Sequence, residues 1–195
     1  QARYGEFAAA ISQEMGAPIT LATKAQAAMI VGHFSAALQV LKEFRFEEDI
    51  GTTRVFREPV GVCAFITPWN WPANQIGCKV APALATGCTM VLKPSEIAPL
   101  DALLFAQVLH DAGVPPGVFN LVQGGSREGQ ALAVHPAVRS VVFTGSAAVG
   151  RQLAAATADD LGKDVALELG GKNAVIVCRD ADLEPAAGVE DGVDL

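Results

Sequence analysis

The sequence predicts an α/β fold in which N-terminal helices lead into a doubly wound parallel sheet. Three observations carry this expectation. From Gly61 onward, short apolar runs alternate with segments of helical periodicity, the pattern of parallel βαβ units. The apolar runs are continuous rather than alternating with polar residues, which implies strands buried on both faces. The carboxyl end of each of the first five runs carries polar or glycine-rich residues, and ligands bind at that edge of such sheets.

The elements follow in order. Tyr4, Phe7, Ala8, Ile11 and Met15 fall at helical spacing, and Gly16 and Pro18 end that helix. A longer helix is expected from about Leu21 to Phe44, with Ala28, Val31, Phe34, Leu38, Leu41 and Phe44 near one face. The acidic Glu47-Glu48-Asp49, then Gly51, reads as a turn. Thr53 to Pro59 reads as a strand or an extended arm. Strands are expected at Val62 to Ile66, Thr89 to Leu92, Val118 to Val122, Ser140 to Phe143, Val165 to Leu167 and Ala174 to Cys178. Helices are expected at Ala73 to Leu84, Leu100 to Ala112, Arg127 to Val134 and Ala147 to Thr157, with another starting near Leu183. A single domain over 1–195 is expected, with a helical lead-in over 1–50 and a parallel α/β core over 60–180.

Composition narrows the function classes. Hydrophobic residues make up 51% of the chain and charged residues 18%, against a usual charged share of about 25%. That shortage suggests faces covered by another domain or subunit. The net charge of −7, with no basic run, argues against a nucleic-acid surface. No apolar stretch is long enough to span a bilayer, so no membrane association is expected. The chain shows no leader peptide and opens on helical periodicity without Met, so it reads as the interior of a larger protein. Its 4 cysteines, Cys63, Cys78, Cys88 and Cys178, form no CxxC pair, which argues against zinc. Each sits in an apolar segment. Buried reduced thiols in a cytoplasmic setting are therefore expected.

Four segments at strand ends carry candidate chemistry. In Thr67-Pro68-Trp69-Asn70-Trp71-Pro72, prolines and tryptophans fix a rigid strand-to-helix turn presenting one amide. Asn70 is either a donor aimed at developing negative charge or the cap of its own helix. Lys93 and Glu96 leave a strand together, either as contacts to an adenosine ribose or as a surface ion pair. An acidic residue at a ribose favours NAD, because a 2′-phosphate would be repelled. Phe143-Thr144-Gly145-Ser146 enters a helix directly, and backbone N–H groups with a Ser hydroxyl suit a phosphate. The spacing from Gly145 to Gly150 is not the GxGxxG fingerprint, and an ordinary Ser cap is the alternative. Glu168, between Leu167 and Leu169 and beside Gly170-Gly171, reads as a general base with a raised pKa or as a solvent-facing acid.

These segments together, in this order and spacing, resemble the aldehyde dehydrogenase superfamily. The resemblance runs through essentially the whole chain and includes Lys79-Val80-Ala81-Pro82-Ala83-Leu84-Ala85 and Gly113-Val114-Pro115-Pro116-Gly117-Val118-Phe119-Asn120. It implies a Rossmann-like domain, incomplete relative to the family. It implies NAD as cofactor, with NADP less favoured, and an aldehyde as substrate. A cysteine thiolate attacks the aldehyde, hydride passes to the cofactor, and water releases the acid. By resemblance, Asn70 is the oxyanion-hole amide and Glu168 the base that activates water. Lys93 and Glu96 match the ribose contacts. Ser146, beside Gly145, resembles the residue at the pyrophosphate, and Val149 one lining the adenine. Thr67, Trp69 and Leu169 resemble walls of the cofactor cleft. A homo-oligomer is implied for the complete protein.

The resemblance has a boundary. The family's nucleophilic cysteine lies a few tens of residues beyond the Glu168 motif, past Leu195, and none of the four cysteines matches it. Pro185 to Leu195 also departs from the family's apolar helix by carrying Glu190, Asp191 and Asp194. Two expectations follow: a cofactor-binding part of a working enzyme that lacks catalytic and oligomerisation domains, or a non-catalytic NAD-binding module. The chain by itself is expected to be inactive.

Overall fold

A computed structural model describes residues 2–171, 174 and 176–182. Helix α1, Tyr4–Met15, is amphipathic and buries Phe7, Ala8 and Ile11. It ends where Gly16 adopts φ 78° and donates its N–H to Ser12 O at 3.2 Å, a left-handed conformation that glycine takes without strain. A short α2, Ile19–Leu21, continues through a π-helical turn at Ala22–Gln26 into α3, Ala27–Leu41. The π turn adds a residue to one helical turn and rotates everything beyond it. As a result, the buried stripe of α3 is Ala27 and Ile30, flanked by Val31 and Phe34. Leu38, Leu41 and Phe44, expected on the core face, are exposed.

Two strands, β1 (Glu47–Ile50) and β2 (Thr53–Phe56), form an antiparallel hairpin. The acidic triplet is therefore a strand and not the expected turn, which falls at Gly51-Thr52 instead. The cause is cross-strand charge: Arg54 reaches Glu47 at 3.4 Å and Asp49 at 3.6 Å, and Arg57 pairs with Glu48.

The main sheet has five parallel strands: β3 (Val62–Ile66), β4 (Thr89–Lys93), β5 (Phe119–Leu121), β6 (Val138–Gly145) and β7 (Asp164–Leu169). Their spatial order is β5-β4-β3-β6-β7. Helices α4 (Pro72–Ala85), α5 (Leu100–Asp111), α6 (Ser126–Val134) and α7 (Ala147–Thr157) make the crossovers. Because side chains alternate along a strand, β3 serves two cores. Cys63 and Phe65 join α1, α3, α4 and α5 on one face, whereas Ala64 and Ile66 join α6 and α7 on the other. The first core is the larger: Phe105 sits between Phe34 and Phe119, with ring centroids 6.0 and 5.5 Å away. Fully buried side chains such as Ile11, Ile76, Met90 and Leu92 each contribute roughly 1.5–3 kcal/mol.

The Rossmann-like α/β expectation is thus borne out, with strand and helix bounds within a few residues of those expected. Three readings are corrected or fall elsewhere. Among the described residues of 174–178, Ala174, Ile176, Val177 and Cys178 are not in a strand. Ile176 is 85% exposed, and a fully buried strand needs neighbours on both faces, which these residues do not have. Cys178 is correspondingly exposed and Cys78 half-buried, so only Cys63 and Cys88 are the buried thiols expected of all four. The helix expected near Leu183 lies outside the described residues.

Candidate functional site

The sheet order reverses at β3. From there β4 and β5 build outward on one side, and β6 and β7 on the other. Crossover helices leave to opposite faces at such a point, and a crevice opens beyond the carboxyl ends of the strands. Ile66, the last residue of β3, pairs with Lys93 at the end of β4 on one side and with Phe143 on the other. Strand β6 runs two residues further, to Gly145. Above these strand ends lies a cleft of about 480 Å³. Thr67, Trp69, Lys93, Glu96, Gly145, Ser146 and Val149 all line it. The eighth expected cofactor residue, Leu169, does not; it packs on α7, where a Cβ built on Gly150 would lie 2.5 Å from Leu169 Cδ2. An apolar hollow of about 520 Å³ lies elsewhere, among Tyr4, Phe7, Ile30, Phe34 and Phe105 of the outer helices. Its charged residues, Arg3 and Asp111, are paired with each other, so its walls are mainly apolar.

Each wall has a local cause. Thr67 continues the β3 ladder by donating its N–H to Lys93 O at 3.2 Å, and it is buried. Pro68 and Trp69 then turn the chain, leaving the indole 45% exposed on the cleft. Pro72 is the first helical residue of α4, so Trp71 is the residue that precedes the helix, and no side chain caps it. Asn70 stands one position too early to cap. Its Oδ1 is buried with no hydrogen-bond partner, so the capping alternative fails.

Lys93 ends β4 with its side chain only 6% exposed, and its Nζ lies 3.4 Å from Glu96 Oε2. The Glu96 carboxyl is held below its ordinary range, first by its own backbone N–H and then by the Lys93 charge. Across the cleft, Ser146 Oγ accepts the Val149 N–H at 3.3 Å. The same hydroxyl therefore caps α7 and borders the cleft, and the two sequence alternatives coexist. Gly145 is tightly packed: a Cβ there would lie 2.6 Å from Phe143 Cζ.

The catalytic candidates lie beside this cleft but do not line it. Glu168 pairs in register with Thr144. Leu167 packs with the α6–α7 core, so Glu168 points to the opposite face and is exposed. Among the described residues Glu168 lacks the expected apolar enclosure, because its apolar neighbours alternate away from it.

Three residues have no counterpart among the expected contacts. Lys79 on α4 is buried; its ammonium donates to Gln75 Oε1 at 2.9 Å. Burial lowers its pKa, while Cys78 and the Glu168 carboxylate act in the opposite direction. A lysine inside an apolar helix was the available signal. Thr144 Oγ1 is buried at the cleft with no partner, an orphan that a ligand would satisfy. Glu128 on α6 accepts at 2.8 Å the N–H of Gly125, which lines the cleft; Glu128 itself does not.

The described residues thus form a Rossmann-like α/β protein with a polar cleft at the switch point of its sheet. The sequence profile of the aldehyde dehydrogenase family matches residues 1–189, and the chain belongs to that family. It is 57% identical over 188 residues to the 3-succinoylsemialdehyde-pyridine dehydrogenase of a Pseudomonas species, which covers 95% of this chain and 39% of that protein. Among solved structures, aldehyde dehydrogenase C of Pseudomonas syringae, a cysteine-to-alanine variant complexed with NAD+ and octanal, is 52% identical with a TM-score of 0.91. The match covers 95% of this chain and 38% of that one. An aldehyde dehydrogenase from Bartonella henselae is 46% identical, also with a TM-score of 0.91, over 97% of this chain and 41% of that one. The chain spans about two fifths of the length of the relatives it matches. Among the described residues, no helix is long and apolar enough to cross a membrane.

Proposed function

We propose that this chain is the cofactor-binding part of an NAD-dependent aldehyde dehydrogenase that oxidises an aldehyde to a carboxylic acid. One observation carries the reading: seven residues expected at a dinucleotide from sequence alone line one cleft at the switch point of the sheet. The cleft's chemistry also fits the cofactor. It offers a carboxylate–ammonium pair for ribose hydroxyls, a helix N-terminus for phosphate and an orphan hydroxyl at Thr144. When bound, NAD supplies the hydride acceptor.

The remaining roles belong to side chains of this chain and to a nucleophile contributed by further sequence. Asn70, held rigidly between Trp69 and Pro72, donates its amide N–H to the developing oxyanion. Glu168, facing away from the α6–α7 core, takes the proton of the attacking water. Lys93 and Glu96 orient the adenosine ribose, Ser146 and the α7 N-terminus meet the pyrophosphate, and Val149 packs against the adenine. Thr67 and Trp69 wall the cleft, Gly145 lets the backbone approach, and Leu169 supports α7. Residues 1–195 act as one cofactor-binding domain. The complete protein works in the cytoplasm as a homo-oligomer.

The test is a pair of measurements. Titration of NAD into the 195-residue chain should quench tryptophan fluorescence through Trp69, while aldehyde and NAD together should yield no NADH. The full-length protein should yield NADH. Turnover by 1–195 alone would refute the missing nucleophile, and absence of NAD binding by the full-length protein would refute the cleft assignment.

A further inference from the structure

Lys93 lies against the N-terminal turn of α6, and that turn carries a second carboxylate, Glu128. Lys93 runs along α6, where a Cβ on Gly129 would lie 3.6 Å from Lys93 Cδ. Glu128, one residue earlier, folds its carboxylate back over the Gly124-Gly125 turn. Glu128 Oε2 accepts the Gly125 N–H at 2.8 Å. The stem is packed on the same turn: Gly124 has φ 153°, and a Cβ there would lie 2.5 Å from Glu128 Cγ. The carboxyl is held below its ordinary range by its own backbone N–H and that of Gly125, then by the charges of Arg127 and Lys93. It therefore stays ionised at neutral pH.

Two helix N-termini border the cleft, and they differ in charge. The α7 terminus is capped by the neutral Ser146 hydroxyl. The α6 terminus already holds an anion: the Glu128 carboxylate accepts the N–H of Gly125, which lines the cleft. Lys93 is thus paired with Glu96 at 3.4 Å, and the turn packed against its stem carries the second carboxylate, Glu128. That balance tolerates a ribose diol and repels a 2′-phosphate.

We infer that Glu128 is a specificity-determining residue of this cleft: its carboxylate closes the α6 N-terminus to phosphate and favours an unphosphorylated adenosine ribose over a 2′-phosphorylated one. The inference rests on the reading of the cleft as a dinucleotide site. It adds a second anion, on a different element, to the discrimination expected from Glu96.

The experiment is a titration of the full-length protein with NAD and with NADP, by fluorescence or calorimetry. Glu128→Gln keeps an amide oxygen for the Gly125 N–H and removes the charge. The ratio of the NADP to the NAD dissociation constant should fall about tenfold in this variant, as expected for loss of one like charge near a phosphate. Glu128→Ala, which loses the turn bond as well, should shift the ratio equally and also lower Tm. A ratio unchanged in both variants, with NAD still bound, overturns the Glu128 inference alone. A wild-type protein that binds neither nucleotide overturns the cleft assignment itself.

Discussion

Lys93 Nζ lies 3.4 Å from Glu96 Oε2, yet the two side chains are in opposite surroundings, 6% and 65% exposed. The lysine is fixed by the end of β4 and by α6, while the glutamate reaches over from the following turn. A pair built this way has one rigid member and one that is free to take a ligand hydroxyl. Glu96→Ala should therefore weaken NAD binding by the full-length protein about five- to tenfold, the net worth of a hydrogen bond at an exposed site. Fluorescence titration checks this. Unchanged affinity would remove Glu96 from the ribose site.

Asn70 should behave in the opposite way. Its position before Trp71, and a side chain that caps nothing, leave the amide available. Asn70→Ala should lower kcat of the full-length enzyme by about 10²–10³, the usual cost of one oxyanion donor. The dissociation constant for NAD should change far less. Steady-state kinetics with a nucleotide titration separate the two effects, and a variant that loses only NAD affinity would place Asn70 in the cofactor site instead.

Helices α3 and α4 pack closely at Gly77. A Cβ there would lie 3.1 Å from both Ile30 Cα and Ile30 Cγ1, and 3.3 Å from His33 Cδ2. Ile30 is buried, and His33 is tied to Asn74 Oδ1 at 2.7 Å, so neither neighbour can move freely. Gly77→Val should destabilise the chain by about 1–3 kcal/mol, the usual cost of overpacking. Urea denaturation of wild type and variant measures it, and equal midpoints would mean that the helices separate at little cost.

Much of this site was legible because its residues sit where chain direction changes. Lys93 and Glu96 follow an apolar strand at a proline turn, and Ser146 follows a strand and opens a helix, so strand ends alone located them. The choice between cap and donor for Asn70 depends on one position. Pro72 as first helical residue, a signal present in the sequence, already sets the N-cap at Trp71. Other features were hidden for physical reasons. Which face Glu168 takes depends on its register in β7, and apolar flanks on an edge strand do not fix that. The rotation of α3 comes from the π turn at Ala22–Gln26, which has no local signature. Glu47 to Asp49 are poor strand formers, yet they form a strand with Arg54 opposite Asp49 and with Arg57 paired to Glu48. Lys79 and Glu128 act through tertiary neighbours, which periodicity does not reveal.

The junction of α1 with α5 should make stability depend on pH. Glu14 caps α5, its carboxylate accepting the N–H groups of Leu100 at 2.6 Å and Asp101 at 3.1 Å. Asp101 beside it is wholly buried, and neither of its oxygens has a hydrogen-bond partner. Burial above all, and then the Glu14 charge, pushes the Asp101 carboxyl well above its ordinary range. In the unfolded chain it titrates near an ordinary value of about 3.9. The folded state therefore holds this proton more tightly. The resulting stabilisation is full below the unfolded value and is lost as pH rises through the raised folded one. Asp101→Asn replaces the protonated carboxyl with a neutral amide of the same shape and removes that dependence. Thermal melts of the two proteins should coincide near pH 4, and the variant should melt several degrees higher by pH 8. Because the carboxylates away from this junction are shared, the difference between the two curves reports the coupled Asp101–Glu14 pair. Parallel curves across that range would show that Asp101 keeps no extra proton in the folded chain.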